Sequence, residues 1–172
     1  MIVLVGFMGA GKTTVGHLLS ERLGLPFVDS DLVIEQRSGR SVRQIFAEDG
    51  EPAFRELERR VVADLIDGPE AVLALGGGAA EHPDTAVRLK SAEVIYLQVG
   101  YDEAMLRVAG DQGRPMLRRP GLETLYQRRL GVYDNVATLT VATGGRRPEA
   151  VSQDVLVQLR VRRAQGRPDL TP

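Results

Sequence analysis

Gly6-Phe7-Met8-Gly9-Ala10-Gly11-Lys12-Thr13 is the stretch that decides the fold. It fits G-x-x-x-x-G-K-[ST] in full, and each fixed position has a physical job. Gly6 and Gly11 let the backbone turn and approach a phosphate with no Cβ in the way. Consecutive N–H groups in such a loop form an anion nest, and the helix that follows adds its positive end. Lys12 brings a full charge to the β and γ phosphates, and the Thr13 hydroxyl is a hard ligand for Mg²⁺. The motif needs a strand before it and a helix after it. Ile2–Val5 reads as a buried strand, and Lys12–Leu23 places Val15, Leu18, Leu19 and Leu23 on one helical face. Taken alone, this stretch predicts binding of a nucleoside triphosphate, ATP or GTP.

Working outward, apolar runs alternate with helical patterns. Gly24 closes the first helix. Phe27-Val28 is a short strand ending at Asp29-Ser30-Asp31. Two short helices follow, the second opened by Ser41 and Gln44 in capping-box spacing. Pro52 marks the start of a helix that carries Phe54, Leu57, Val61, Val62, Leu65 and Ile66. Ala71–Leu75, Val94–Leu97 and Leu139–Val141 read as further strands, and 148–163 as the last helix. Continuous apolar strands joined by helices predict a three-layer α/β/α domain with a central, mostly parallel five-stranded sheet. Residues 1–164 read as one domain with a mobile lid at about 110–121, and 165–172 as a flexible tail.

The chain has 172 residues and no cysteine, which excludes disulfides and cysteine metal sites. Its net charge of −1 argues against a nucleic-acid-coating surface. Met1 runs into only four apolar residues before Gly6, too short for a signal peptide, and no apolar run is long enough for a membrane span. A cytoplasmic monomer is the expectation, since no spare apolar stripe demands a partner.

Gly110–Gly121 has glycines at both ends, two prolines and three arginines. That composition suits a mobile, cationic flap, although a plain surface loop would look similar. A switch GTPase would need an Asn-Lys-x-Asp segment, and none is present. The third strand ends in Gly76-Gly77-Gly78 rather than an acid, which is unlike a motor or transporter ATPase. Small single-domain proteins with this loop are commonly metabolite or nucleotide kinases.

At this point the sequence resembles the shikimate kinase family. The resemblance rests on Gly6–Thr14, Asp29-Ser30-Asp31, Gly39-Arg40-Ser41 with Ile45-Phe46, Phe54-Arg55 with Glu58, Gly76–Gly78, Arg114-Pro115, Arg129 with Tyr133, and Arg146-Arg147-Pro148. These occur in the family's order and cover about Ile2 to Leu159. The resemblance implies transfer of the γ-phosphoryl of ATP to the 3-hydroxyl of shikimate, a step of chorismate and aromatic amino acid biosynthesis. It implies ATP binding by Gly9, Ala10, Gly11, Lys12, Thr13, Thr14, Arg107, Arg114, Arg146, Arg147 and Pro148. It implies shikimate binding by Asp31, Arg55, Gly76, Gly77, Gly78 and Arg129. The catalytic set would be Lys12, Asp31 and Arg114. One Mg²⁺ would bind Thr13 directly and Asp29 through water. The chemistry agrees: a carboxylate calls for planar arginine forks, and hydroxyls call for an acceptor such as Asp31.

Each residue also has a plainer reading. Asp29, Ser30 or Asp31 could cap a helix. Arg55, Glu56, Glu58 and Arg59 could be a solvated helix face. Gly76–Gly78 could be an ordinary turn, Arg129 surface charge, and His17 structural. The flap is a few residues shorter than in several relatives, and Gly131 stands where the family often has proline. Another small-metabolite kinase, or a non-catalytic nucleotide-dependent binding module, are the alternatives.

Overall fold

All four side chains of β1 (Ile2–Val5) are buried, so this strand must be covered on both faces. In the computed structural model, which describes residues 1–109 and 121–165, β1 is the central strand of five. It pairs with β3 (Val72–Ala74) on one side and β4 (Glu93–Gln98) on the other. β2 (Phe27–Asp29) lies outside β3, and β5 (Leu139–Ala142) outside β4, giving the order β2-β3-β1-β4-β5. Every pairing among the described residues is parallel; Ile2 sits opposite Val72 and Glu93, and Asp29 opposite Ala74.

Parallel neighbours require crossover connections, and helices supply them. In chain order these are α1 (Lys12–Leu23), α2 (Ser30–Ser38), α3 (Val42–Glu48), α4 (Gly50–Ile66), α5 (Pro83–Leu89), α6 (Tyr101–Val108), α7 (Leu122–Val136) and α8 (Pro148–Ala164). A 3₁₀ turn, Ala79–Glu81, lies between the glycine triplet and α5. The chain leaves β1 towards β3 and β2, then crosses to β4 and β5. The loop after β1 therefore lies at the switch point, where a crevice opens beyond the carboxyl ends of the strands. Asp29 ends β2 and the glycine triplet follows β3 by one residue, so both stand at that same edge.

The main core surrounds β1, β3 and β4. A second, smaller cluster joins Ile34, Ile45, Phe54 and Val61 beneath α2, α3 and α4, with the Phe46 and Phe54 rings 4.6 Å apart. The capping box at Ser41 is present in both directions, with Gln44 N–H donating to Ser41 Oγ and Ser41 N–H to Gln44 Oε1. A cap of this kind contributes about 1 kcal/mol to the helix it starts.

Some boundaries differ from expectation. α4 begins at Gly50, two residues before Pro52. Proline fits there because the N–H groups of a first helical turn have no intrahelical partner to lose. Leu18 is half-buried rather than core, whereas Val15 and Leu19 are buried. The expected lid, Gly121 excepted, and the tail beyond Gln165 lie outside the described residues. No described helix is long and apolar enough to cross a membrane.

Candidate active site

In the loop after β1, Gly6, Gly9 and Gly11 all have positive φ (148°, 77° and 90°). At Gly9 close approach matters too: an added Cβ would come 2.6 Å from the Ala104 carbonyl oxygen. Lys12 Nζ donates to the Gly6 and Phe7 carbonyls at 2.8 and 3.2 Å, so the ammonium lies across its own loop. Thr13 Oγ1 donates to Asp29 Oδ2 at 3.3 Å. The other Asp29 oxygen accepts from Asp31 N–H at 3.0 Å and caps α2. The capping reading of this acidic strand end is thus correct, and the same carboxylate still reaches the phosphate loop. A hydroxyl and a carboxylate oxygen side by side are hard donors suited to a divalent cation that arrives with a triphosphate.

The glycine triplet is no ordinary turn. None of Gly76, Gly77 and Gly78 has φ in the left-handed region, so their backbone would accept any residue. What demands glycine is the set of side chains they face. A Cβ on Gly76 would lie 2.6 Å from Asp31 Oδ1 and 2.8 Å from Glu58 Oε1. On Gly77 it would lie 3.3 Å from Arg129 Nη1 and 3.6 Å from Tyr133 Oη. On Gly78 it would lie 2.7 Å from Arg55 Cζ. Three helices thereby bring two acids and two guanidinium groups onto three consecutive backbone positions. Ser30, fully buried at the start of α2, anchors the turn by accepting Gly76 N–H at 2.9 Å.

Arg55 donates to Glu58 Oε2 at 2.6 Å and to Glu51 Oε1 at 3.3 Å. The plainer reading of this face as solvated fails at Glu58, which is 3% exposed. Burial pushes the Glu58 carboxyl above the usual range, and Arg55 and Arg129 pull it back only in part. Burial also works against the Arg55 charge, but Glu58 and Glu51 outweigh it and hold the arginine's pKa up. Arg129 is likewise 3% exposed, while the Arg128 side chain beside it is 64% exposed. Arg129 Nε donates to Glu81 Oε1 at 2.7 Å, and Arg128 donates to Glu81 Oε2 at 2.7 Å. Tyr133, one turn along α7, donates to the Gly77 carbonyl at 2.6 Å, and burial pushes its phenol up.

At the far end, Arg107 on α6 donates to the carbonyls of Gly9 and Thr143 at 3.0 and 2.7 Å, and to Glu103 at 2.6 Å. Glu103 also accepts Gly145 N–H at 2.9 Å, and these two donors hold its carboxyl below the usual range. Arg146 is tied to Asp154 at 3.1 Å and to the Ala142 carbonyl. A cavity of about 820 Å³, ample for a nucleotide and a small acceptor, runs between the two ends. It is lined by Gly9–Thr14, Asp29, Asp31, Arg55, Gly76–Gly78, Arg107, Arg129, Arg146 and Pro148. Arg147 immediately precedes α8, is exposed and is not part of that lining, and Arg114 lies outside the described residues. Sequence reasoning did not single out Glu81 or Glu103. Glu81 acts through two arginines that the fold brings near and carried no motif signal, whereas Glu103 pairs with Arg107 at i,i+4 spacing on α6, a pattern shared by many exposed helix faces.

The comparisons agree with this geometry. The family model described as shikimate kinase matches residues 8–160. A shikimate kinase of Thermobifida fusca is 45% identical over 162 residues, covering 92% of this chain and 94% of that protein. The structure of shikimate kinase from Acinetobacter baumannii in complex with shikimate superposes with a TM-score of 0.87 at 36% identity, covering 93% of this chain and 92% of that one. A gluconokinase from Sinorhizobium meliloti shares the fold alone, with a TM-score of 0.64 at 18% identity over 96% of this chain and 97% of that one. The scaffold is thus common to several small-molecule kinases, but the sequence match over nine-tenths of the length is specific, and this chain belongs to the shikimate kinase family.

Proposed function

We infer that this chain transfers the γ-phosphoryl group of ATP to the 3-hydroxyl of shikimate, yielding shikimate 3-phosphate and ADP, in chorismate and aromatic amino acid biosynthesis. The observation that carries the reading is the convergence of Asp31, Arg55 and Arg129 on Gly76–Gly78, in the same cavity as the phosphate loop. Two buried or half-buried guanidinium groups suit a carboxylate, and an adjacent aspartate suits a hydroxyl. In our assignment Arg55 and Arg129 hold the acceptor's carboxylate. Gly76, Gly77 and Gly78 admit its ring close to backbone, and Asp31 orients and deprotonates the attacking hydroxyl.

Gly9, Ala10, Gly11, Lys12, Thr13 and Thr14 take the triphosphate. Arg107 and the segment Arg146, Arg147 and Pro148 flank the base. Arg114 belongs to the proposal as the cation that closes over the transferred group. The divalent metal that such a kinase needs is assigned as Mg²⁺, held by Thr13 and, through water, by Asp29; when bound it neutralises phosphate charge. The remaining work is positioning and exclusion of water, which would otherwise compete as acceptor. The proposal includes a single domain over residues 1–164, a monomer, no nucleic-acid partner and a cytoplasmic location. A coupled ADP-release assay over a panel of acceptors tests it: release should depend on shikimate. Turnover with gluconate or a nucleoside monophosphate instead, or nucleotide binding with no turnover for any acceptor, would refute it.

A further inference from the structure

Glu81 stands behind the acceptor site rather than in it. It closes the 3₁₀ turn that follows the glycine triplet, and its N–H donates to the Gly78 carbonyl at 3.0 Å. One carboxylate oxygen takes Arg129 Nε at 2.7 Å, and the other takes Arg128 Nη2 at 2.7 Å. A guanidinium is a rigid plane, so fixing Nε against one oxygen fixes where the Nη groups point. Here Nη1 faces Gly77 on the cavity side. The exposed Arg128 holds the second oxygen and stops the carboxylate from turning. From the other side, Tyr133 ties α7 to the Gly77 carbonyl.

We propose that Glu81 is a positioning residue for the acceptor: clamped by Arg128, it sets the Arg129 plane so that the Nη edge meets the acceptor's carboxylate. This rests on the reading of Arg129 as a carboxylate anchor. Glu81 itself is on the rim, its side chain 26% exposed, and does not line the cavity, so it adds negative charge behind Arg129 without competing for the pocket.

Steady-state kinetics of Glu81→Ala, Glu81→Gln, Arg129→Ala and the Glu81→Ala/Arg129→Ala double variant test the proposal, with melting temperatures alongside. Loss of a charge-assisted hydrogen bond should raise the KM for shikimate on the order of ten-fold in Glu81→Ala. The KM for ATP and kcat should stay within about two-fold, since the nucleotide contacts lie elsewhere. Glu81→Gln, which keeps an acceptor for Nε, should recover most of the loss. In the Arg129→Ala background, Glu81→Ala should add nothing. An unchanged shikimate KM in Glu81→Ala while Arg129→Ala raises it would overturn the proposal. So would an equal rise in the ATP KM, or a penalty that adds in the double variant. An unchanged shikimate KM in Arg129→Ala would instead refute the reading of the site beneath it.

Discussion

Adding one carbon to Gly78 should damage acceptor binding while leaving the fold intact. The backbone there is right-handed helical (φ −103°, ψ −11°), so alanine costs nothing conformationally and even removes some freedom from the unfolded chain. The new Cβ would meet the Arg55 guanidinium, with Cζ and Nη2 both at 2.7 Å. That is inside van der Waals contact, and the yielding partner is the far end of a flexible side chain. Arg55 must therefore move, and its 2.6 Å bond to Glu58 is the contact that breaks or lengthens. Displaced, Arg55 loses its charge-assisted hydrogen bond to the acceptor's carboxylate, about 1.5–3 kcal/mol, so the shikimate KM should rise about ten- to a hundred-fold. The ATP KM should change by less than about two-fold, because the phosphate loop is untouched. A net destabilisation of about 1 kcal/mol would lower Tm by only about 2–4 °C in a domain this size.

Gly76→Ala provides the contrast within the same three residues. Its Cβ would strike Asp31 Oδ1 and Glu58 Oε1 at 2.6 and 2.8 Å, so the acid assigned to the attacking hydroxyl is displaced and kcat should fall most. Initial-rate kinetics with both substrates varied, with thermal melts as the folding control, separate the two. If Gly78→Ala binds shikimate normally, Arg55 does not hold the acceptor. If both variants show the same profile, the site is not divided along the triplet in this way.

Other outcomes follow from single contacts. Lys12→Ala should lower kcat about a hundred- to a thousand-fold with little change in Tm, measured by ADP release and calorimetry, since Lys12 is half-buried and donates to the Gly6 and Phe7 carbonyls of its own loop. Arg129→Ala and Arg55→Ala should each weaken shikimate binding by about 2–5 kcal/mol, read by titration calorimetry; normal affinity in both would remove them from the site. Two carboxylates on α4 should give opposite pH dependence. Arg59 and Arg60 hold Glu56 at about 2 against an ordinary 4.5, so its stabilisation is present above pH 4.5 and lost as pH falls towards 2. Burial raises Glu58 above its ordinary 4.5, so its contribution is present below pH 4.5 and lost as pH rises through its folded value. Melting curves against pH should accordingly become shallower on the acid side in Glu56→Gln, and on the neutral side in Glu58→Gln.

The phosphate loop, the five strands and the Ser41 cap were legible because each is written in contiguous residues. Their physics is local: period, capping partners, positions that need positive φ. The acceptor half was legible only as a resemblance. Arg55, Glu56, Glu58 and Arg59 show the charge spacing of any exposed helix face, and nothing in that spacing says that Glu58 points inward. It does so because β3 ends beside α4 and offers Gly76, which has no side chain to exclude it. Arg128 and Arg129 pose the same problem one residue apart. Neighbours on a helix point about 100° apart, so one can be in solvent and the other buried, but the sequence does not say which. Glu81 was invisible for a third reason: its role exists only through two arginines 47 and 48 positions away.

The shared scaffold sharpens where acceptor choice must reside. A gluconokinase has this fold at 18% identity, so sheet order and layer packing cannot select the acceptor. The phosphate loop cannot either, since it is assigned to the donor. What is left is the edge formed by β2, β3, α2, α4 and α7, where the charged groups of three helices are spaced by three glycines. On this view the triplet acts as a gauge. Each missing Cβ sets how closely the facing side chains approach the backbone: Asp31 and Glu58 at the first, Arg129 at the second, Arg55 at the third. A side chain at one of these positions would re-aim the groups it faces, with Arg55 and Glu58 linked through their ion pair and Arg129 held separately by Glu81. Substitutions at the triplet should therefore change acceptor binding in this chain without disturbing the core of β1, β3 and β4 that carries the fold.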